Sequence, residues 1–154
     1  MNTVKLGDIT IEVEEELTRQ FYDTQNTFVC DCIDCMNYIA NIPNVISLMN
    51  GIDKDLGIDL YKCVDQGMDE LMPHDYEGSH LDVVPYYVIG KCYVNTKELR
   101  QLFDKPISTD QKNIHCRLTD DLSFSIQNTT DSIKIKDAKN VLTIWIEYKT
   151  EVNN

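Results

Sequence analysis

The run Val83-Val84-Pro85-Tyr86-Tyr87-Val88-Ile89-Gly90-Lys91-Cys92-Tyr93-Val94 carries one charge and is dominated by β-branched and aromatic side chains. That composition suits a pleated, half-buried surface. At a period of two, Val84, Tyr86, Val88, Gly90 and Cys92 fall on one face. Pro85 stands near the start, where a strand tolerates a missing N–H. The spacing therefore predicts a long strand over residues 83–94, and a strand of this length demands a sheet around it.

Outward from it, the chain supplies the neighbours. Val4-Lys5-Leu6 and Ile9-Thr10-Ile11-Glu12-Val13 alternate apolar and polar residues about Gly7-Asp8, which predicts a hairpin. Residues 18–24 are expected to be a short helix. Asp31 can cap a further helix, on which Cys32, Cys35, Ile39 and Ile42 draw an apolar stripe. Pro43 suits the first turn of another helix, with Gly57 in the left-handed position after its end and Gly51 as a point where the stretch can split. Residues 58–64 suggest a strand, residues 72–78 a loop, and residues 98–103 a short capped helix. Two later strands are expected at residues 122–127 and 141–150. The pattern is α+β: a mostly antiparallel sheet with two to four helices on one face. Residues 1–150 are expected to form a single domain, with 151–154 as a tail.

Composition narrows the function classes. The chain has 154 residues, and its net charge is −12. That charge argues against nucleic acid or an anionic membrane surface, whose phosphates need clustered Lys and Arg. It favours a basic protein partner, because opposite fields speed encounter. Residues 53–82 hold nine carboxylates against Lys54 and Lys62. Within that stretch Asp65, Asp69, Glu70, Asp75, Tyr76, Glu77 and Asp82 are candidate partner contacts, joined by Tyr86 and Tyr87 as aromatic anchors. A solvated acidic face is the plainer alternative. The first residues lack the pattern of a secretory signal, and no apolar run approaches a membrane span, so a cytoplasmic location is expected.

Three of the six cysteines fall in Cys30-Asp31-Cys32-Ile33-Asp34-Cys35. In a reducing compartment such thiols are buried, metal-bound or redox-active rather than structural disulfides. Zinc is one reading, with Cys30, Cys32 and Cys35 as three thiolate ligands and the fourth from Cys63, Cys92, His115 or Cys116, of which His115-Cys116 is the only adjacent pair. Packing of Cys32 and Cys35 as small apolar residues is another. A catalytic thiolate is disfavoured by Asp31 and Asp34, which oppose the pull of the helix N-terminus. Asp53-x-Asp55-x-Gly57-x-Asp59 fails as a calcium loop, since glycine falls at the fifth place and Val64 at the twelfth. His74, Asp75, Glu77, His80 and Asp82 match no HExxH spacing. No GxSxG, P-loop or GxGxxG occurs, so an enzyme finds no support. Asn128-Thr129-Thr130 has the form of a glycosylation sequon, without consequence in a cytosolic chain.

Phe28-x-Cys30-Asp31-Cys32-x-x-Cys35-x-Asn37-Tyr38, with Leu56-Gly57-Ile58-Asp59 and the Tyr86-Tyr87-x-x-Gly90 strand, resembles a group of small bacterial proteins from low-GC Gram-positive genomes. That group brings no assigned activity, so the resemblance transfers no residue role. Acidic proteins of this size look like immunity proteins of polymorphic toxins or prophage-encoded inhibitors. The expectation is a non-enzymatic binding protein that neutralises a basic toxin or defence enzyme by occluding its surface. The alternative is a zinc-stabilised structural or regulatory module.

Overall fold

A computed structural model describes residues 1–28, 32–62, 72–76, 79–95, 100–101, 114–128, 135, 138 and 140–151. Among these, the chain order is β1 (Asn2–Leu6), β2 (Ile9–Val13), α1 (Glu15–Asp23), α2 (Ile33–Met49), α3 (Ile52–Leu56), β3 (Met72–Tyr76), β4 (Ser79–Val94), β5 (Arg100–Gln101), β6 (Ile114–Arg117), β7 (Leu122–Asn128) and β8 (Val141–Glu151). The strands join in the order β1-β2-β4-β8-β7-β6, with β3 and β5 also paired to β4, and every pairing is antiparallel. The α+β class expected from the sequence is the class observed.

The long strand is the hub. Its residues 79–89 pair with β8, and residues 90–94 pair with β2. Gly90 sits where the partner changes, opposite Val13, and a Cβ there would lie 2.3 Å from the Glu12 carbonyl oxygen. Only glycine lets the two backbones come this close. Before that point, Tyr87 and Ile89 turn backbone groups toward α1 rather than toward a strand. The Tyr22 hydroxyl donates to the Tyr87 carbonyl at 2.8 Å and accepts from the Tyr87 N–H at 2.9 Å. Thr18 Oγ1 accepts from the Ile89 N–H at 3.1 Å, and the Glu14 N–H donates to the Ile89 carbonyl at 2.8 Å. Side chains of a helix thus complete the edge of a sheet.

One face of the sheet is almost wholly apolar. Val84, Tyr86 and Val88 of β4 meet Ile146, Ile144 and Leu142 of β8 in register, and Phe124 and Ile126 continue the row. All of these are buried. Against them α2 turns Cys35, Tyr38, Ile42, Val45 and Met49, at steps of 3, 4, 3 and 4. At the far ends of the sheet, Cys116 on β6 reaches the Leu6 carbonyl of β1 at 3.6 Å, so the sheet curls toward closure there.

Several local expectations are corrected. Helix α1 begins at Glu15, three residues early, because Glu15 and Glu16 favour the first turn's positive dipole end. Pro43 starts no new helix; it lies inside α2, on an exposed position. An interior proline costs about 3 kcal/mol. Each fully buried Ile42, Val45 or Met49 offsets roughly 1.5–3 kcal/mol of that. Cys32 is the exposed N-cap rather than part of the buried stripe. Residues 58–62 form no extended strand, because Asp59 turns the chain: its Oδ1 accepts from the Tyr61 N–H and its carbonyl from the Lys62 N–H. Residues 72–76 form β3, paired with the first residues of β4, where a loop was expected. Residues 100–101 belong to a strand rather than a helix. Glu151 is the last residue of β8 and not part of a tail.

Replacing Tyr22 by Phe should lower the unfolding free energy by about 2–4 kcal/mol, since two buried backbone groups of Tyr87 lose a partner at about 1–3 kcal/mol each. Urea titration reads this directly, and a loss under about 1 kcal/mol would remove α1 as the partner of that edge. Gly90→Ala should be at least as damaging, through the clash with Glu12.

Candidate functional site

The first turn of α2 concentrates the chemistry of the described residues. Cys32 caps the helix with an extended backbone (φ −66°, ψ 159°), and Cys35 follows one turn later. Their sulfurs lie 2.9 Å apart. Cys32 is exposed, whereas Cys35 is buried under the sheet face. Ile33 and Met36, on the outer side of the same turn, are 75% and 53% exposed.

Beneath this turn lies a buried polar group. The Tyr38 and Tyr86 hydroxyls meet at 2.5 Å, and Tyr86 donates to the Leu60 carbonyl at 2.8 Å. Phe28 packs edge-on against the Tyr38 ring. On β4, His80 Nε2 lies 2.9 Å from Asp82 Oδ1, with the carboxylate almost completely buried. Burial raises the Tyr38 pKa, against the hydrogen bond with Tyr86, and the Asp82 charge adds to the rise. Tyr22 is pushed well up by burial as well. These hydroxyls stay protonated and serve as structural hydrogen-bonding groups.

The expected partner contacts fare unevenly. Asp82, Tyr86 and Tyr87 are buried and form part of the core, so they offer no surface to a partner. Alternation along β4 placed one tyrosine inward and one outward, but α1 covers the outward side: Phe21 packs on Tyr87 at 6.1 Å between ring centroids. Asp75 and Tyr76 lie on β3, opposite His80 and Ser79. Asp65, Asp69, Glu70 and Glu77 lie outside the described residues.

The metal reading meets a similar division. Cys30 lies outside the described residues. His115 and Cys116 do not join Cys32 and Cys35, for the described residues contain no cluster of three or more His, Cys, Asp or Glu placed to hold an ion. His115 instead lies 3.4 Å from Glu147, which also accepts from Ser125 at 2.6 Å. The carboxylate sits between serine and histidine there, so the imidazole is not placed to take the serine proton, unlike a hydrolytic triad. Cys92 and Cys116 are different again: burial pushes Cys92 up to about 12, with Cys116 adding to it, and burial also raises Cys116, helped by Asp8.

Comparison of the chain with protein-family models, with curated proteins and with solved structures finds no match in any of the three.

Sequence reasoning overlooked the outward side of α2. Along it stand Ile33, Met36, Asn37, Ala40, Pro43, Asn44 and Ser47, all exposed, and Asp34 is the only charge in the 17-residue helix. The signal was present in the composition, since 26% of the chain is charged and this segment is nearly bare. Around it, residues 14–62 hold nine carboxylates against Arg19, Lys54 and Lys62. Two of those cations are occupied within the fold: Arg19 bonds the Lys54 carbonyl and pairs with Glu15, and Lys62 bonds the Gln25 carbonyl.

Raised pKa values have a consequence for stability. The folded chain holds the protons of Cys92, Tyr22 and Tyr38 more tightly than the unfolded chain does. Stability is therefore intact below the unfolded values and falls as pH climbs past them, from roughly 8.5–9 for the thiol and about 10 for the tyrosines. Each group contributes up to roughly 1.4 kcal/mol per pH unit. Urea midpoints should drop between about pH 9 and 10, and Cys92→Ala should flatten that drop. An equal slope in the variant would exclude the thiol as its source.

Proposed function

We propose that this chain is an acidic binding protein whose docking surface is the outward side of α2. Its partner would be a basic toxin or defence enzyme, neutralised by occlusion in the manner of an immunity protein or a prophage-encoded inhibitor. The observation that carries this reading is the α2 surface itself. A helix with a single charge exposes Ile33 and Met36 at its start and small or amide side chains beyond them. Interface centres are depleted in charge and enriched in methionine and other adaptable apolar groups, inside a polar rim. The chain on either side of α2 is acidic, with Glu14, Glu15 and Glu16 at the start of α1 and Asp55 and Asp59 in and after α3. A partner with an apolar centre and Lys or Arg around it complements both parts.

The division of labour follows from the physics. Rim carboxylates steer encounter over about a Debye length, roughly 8 Å at physiological salt. The uncharged helix face sets residence time, because only there is water fully excluded. Occlusion needs no catalytic residue in this chain.

The test is co-expression and co-purification with any basic protein encoded beside this gene, followed by association kinetics on the purified pair. Neutralising Glu15, Glu16, Asp55 and Asp59 together should slow association about tenfold at low salt and flatten its salt dependence. Ile33→Ala with Met36→Ala should instead speed dissociation about tenfold or more, equivalent to at least about 1.4 kcal/mol. Unchanged rates in both variants would overturn the assignment of this face.

A further inference from the structure

We propose that Cys32 and Cys35 form a thiol–disulfide exchange site, with Cys32 as the attacking thiol, Cys35 as the resolving thiol and an organic disulfide as substrate. The site shares the first turn of α2 with the proposed docking surface, but its chemistry needs no partner protein.

Three observations carry it. First, the two sulfurs are already in contact at 2.9 Å. A disulfide needs about 2.0 Å, so closure requires less than about an ångström of further approach. Second, the pair is asymmetric. Cys32 is exposed at the helix cap, where a substrate can reach it, whereas Cys35 is 2% exposed and in contact with Cys32. An exchange site uses this asymmetry, because the first thiol must meet substrate and the second must be shielded from it. Third, Ile33 and Met36 stand exposed on the same turn and offer apolar contact to groups flanking the substrate disulfide. Cys92, buried and held as a thiol, cannot compete for such a substrate.

The chemistry balances without another reagent. The Cys32 sulfur attacks one sulfur of R–S–S–R′, forming Cys32–S–S–R and releasing R′–S⁻. The Cys35 sulfur then attacks the Cys32 sulfur, the bond to R–S breaks, and R–S⁻ leaves. Two electrons pass from the dithiol to the substrate. The protons given up by the two protein thiols end on the released R–SH and R′–SH. The reverse sequence, driven by a thiol, restores the pair.

The full chain should be equilibrated with oxidised and reduced glutathione at graded ratios, then quenched with a thiol-alkylating reagent and weighed intact. The expected result is loss of two alkylatable thiols per chain, mapped to Cys32 and Cys35 in peptides, and their return on adding reduced glutathione. Cys35→Ser should trap a glutathione adduct on Cys32 that the unaltered chain does not retain. Should that variant fail to fold, the peptide map of the unaltered chain decides alone. Cys30→Ser should leave the two-thiol loss intact. Four outcomes would overturn the site: both thiols alkylated at every ratio, an adduct that persists in the unaltered chain, loss of the effect in Cys30→Ser, or stoichiometric zinc that protects the pair from oxidation.

Discussion

Everything in this molecule hangs on how β4 ends one partnership and begins another. Until Ile89 it is laddered to β8, and from Gly90 it is laddered to β2. A strand that changes partners leaves backbone groups facing a gap at the junction, and buried groups of that kind cost more than most side-chain contacts supply. The Tyr22 and Thr18 hydroxyls and the Glu14 N–H fill the gap from α1. The helix is thereby fixed in position and rotation by hydrogen bonds, before any packing is counted. Its neighbour α3 is fixed in turn, because Gly57 approaches the Glu15 carbonyl so closely that a Cβ would stand 2.7 Å from it.

The elements that the sequence displayed best are those whose side chains pack on both faces or alternate cleanly. The β1–β2 hairpin, β4, β7 and β8 all follow from period-two patterning and turn chemistry, as at Gly7 with its positive φ of 59°. What stayed hidden was set by interactions distant in sequence. Residues 58–62 have the apolar content of a strand, and Ile58 and Leu60 are buried as a strand would bury them. Asp59 nevertheless spends its carboxylate and carbonyl on a local turn. Pro43 reads as a boundary by local rules, yet the buried stripe from Cys35 to Met49 carries the helix through it. The pairing of β3 has no signature in its own residues, Met-Pro-His-Asp-Tyr, because its ladder is provided by the extension of β4.

The candidate surface was legible only in part, and for a related reason. Charge is a property of composition, so an acidic character follows without a structure. Which carboxylates and aromatics face outward depends on packing. Asp82, Tyr86 and Tyr87 look like ideal contact residues in one dimension and lie inside in three. The cysteine segment shows the opposite case. Spacing at 32 and 35 pointed to one shared side of a helix, but the capping geometry of Cys32 separates the two thiols into an outer and an inner member while keeping them in contact.

The hydroxyl clamp between α1 and β4 also sets an order of events during synthesis. Tyr22 leaves the ribosome 65 residues ahead of Tyr87, and Thr18 leaves 71 residues ahead of Ile89. At about 5–20 residues per second, α1 and the nearly uncharged α2 wait several seconds for the strand that completes them. During that interval the outward side of α2 and its apolar stripe are exposed together. The carboxylates on either side of it, from Glu14 to Asp59, then act as a charge barrier between nascent chains.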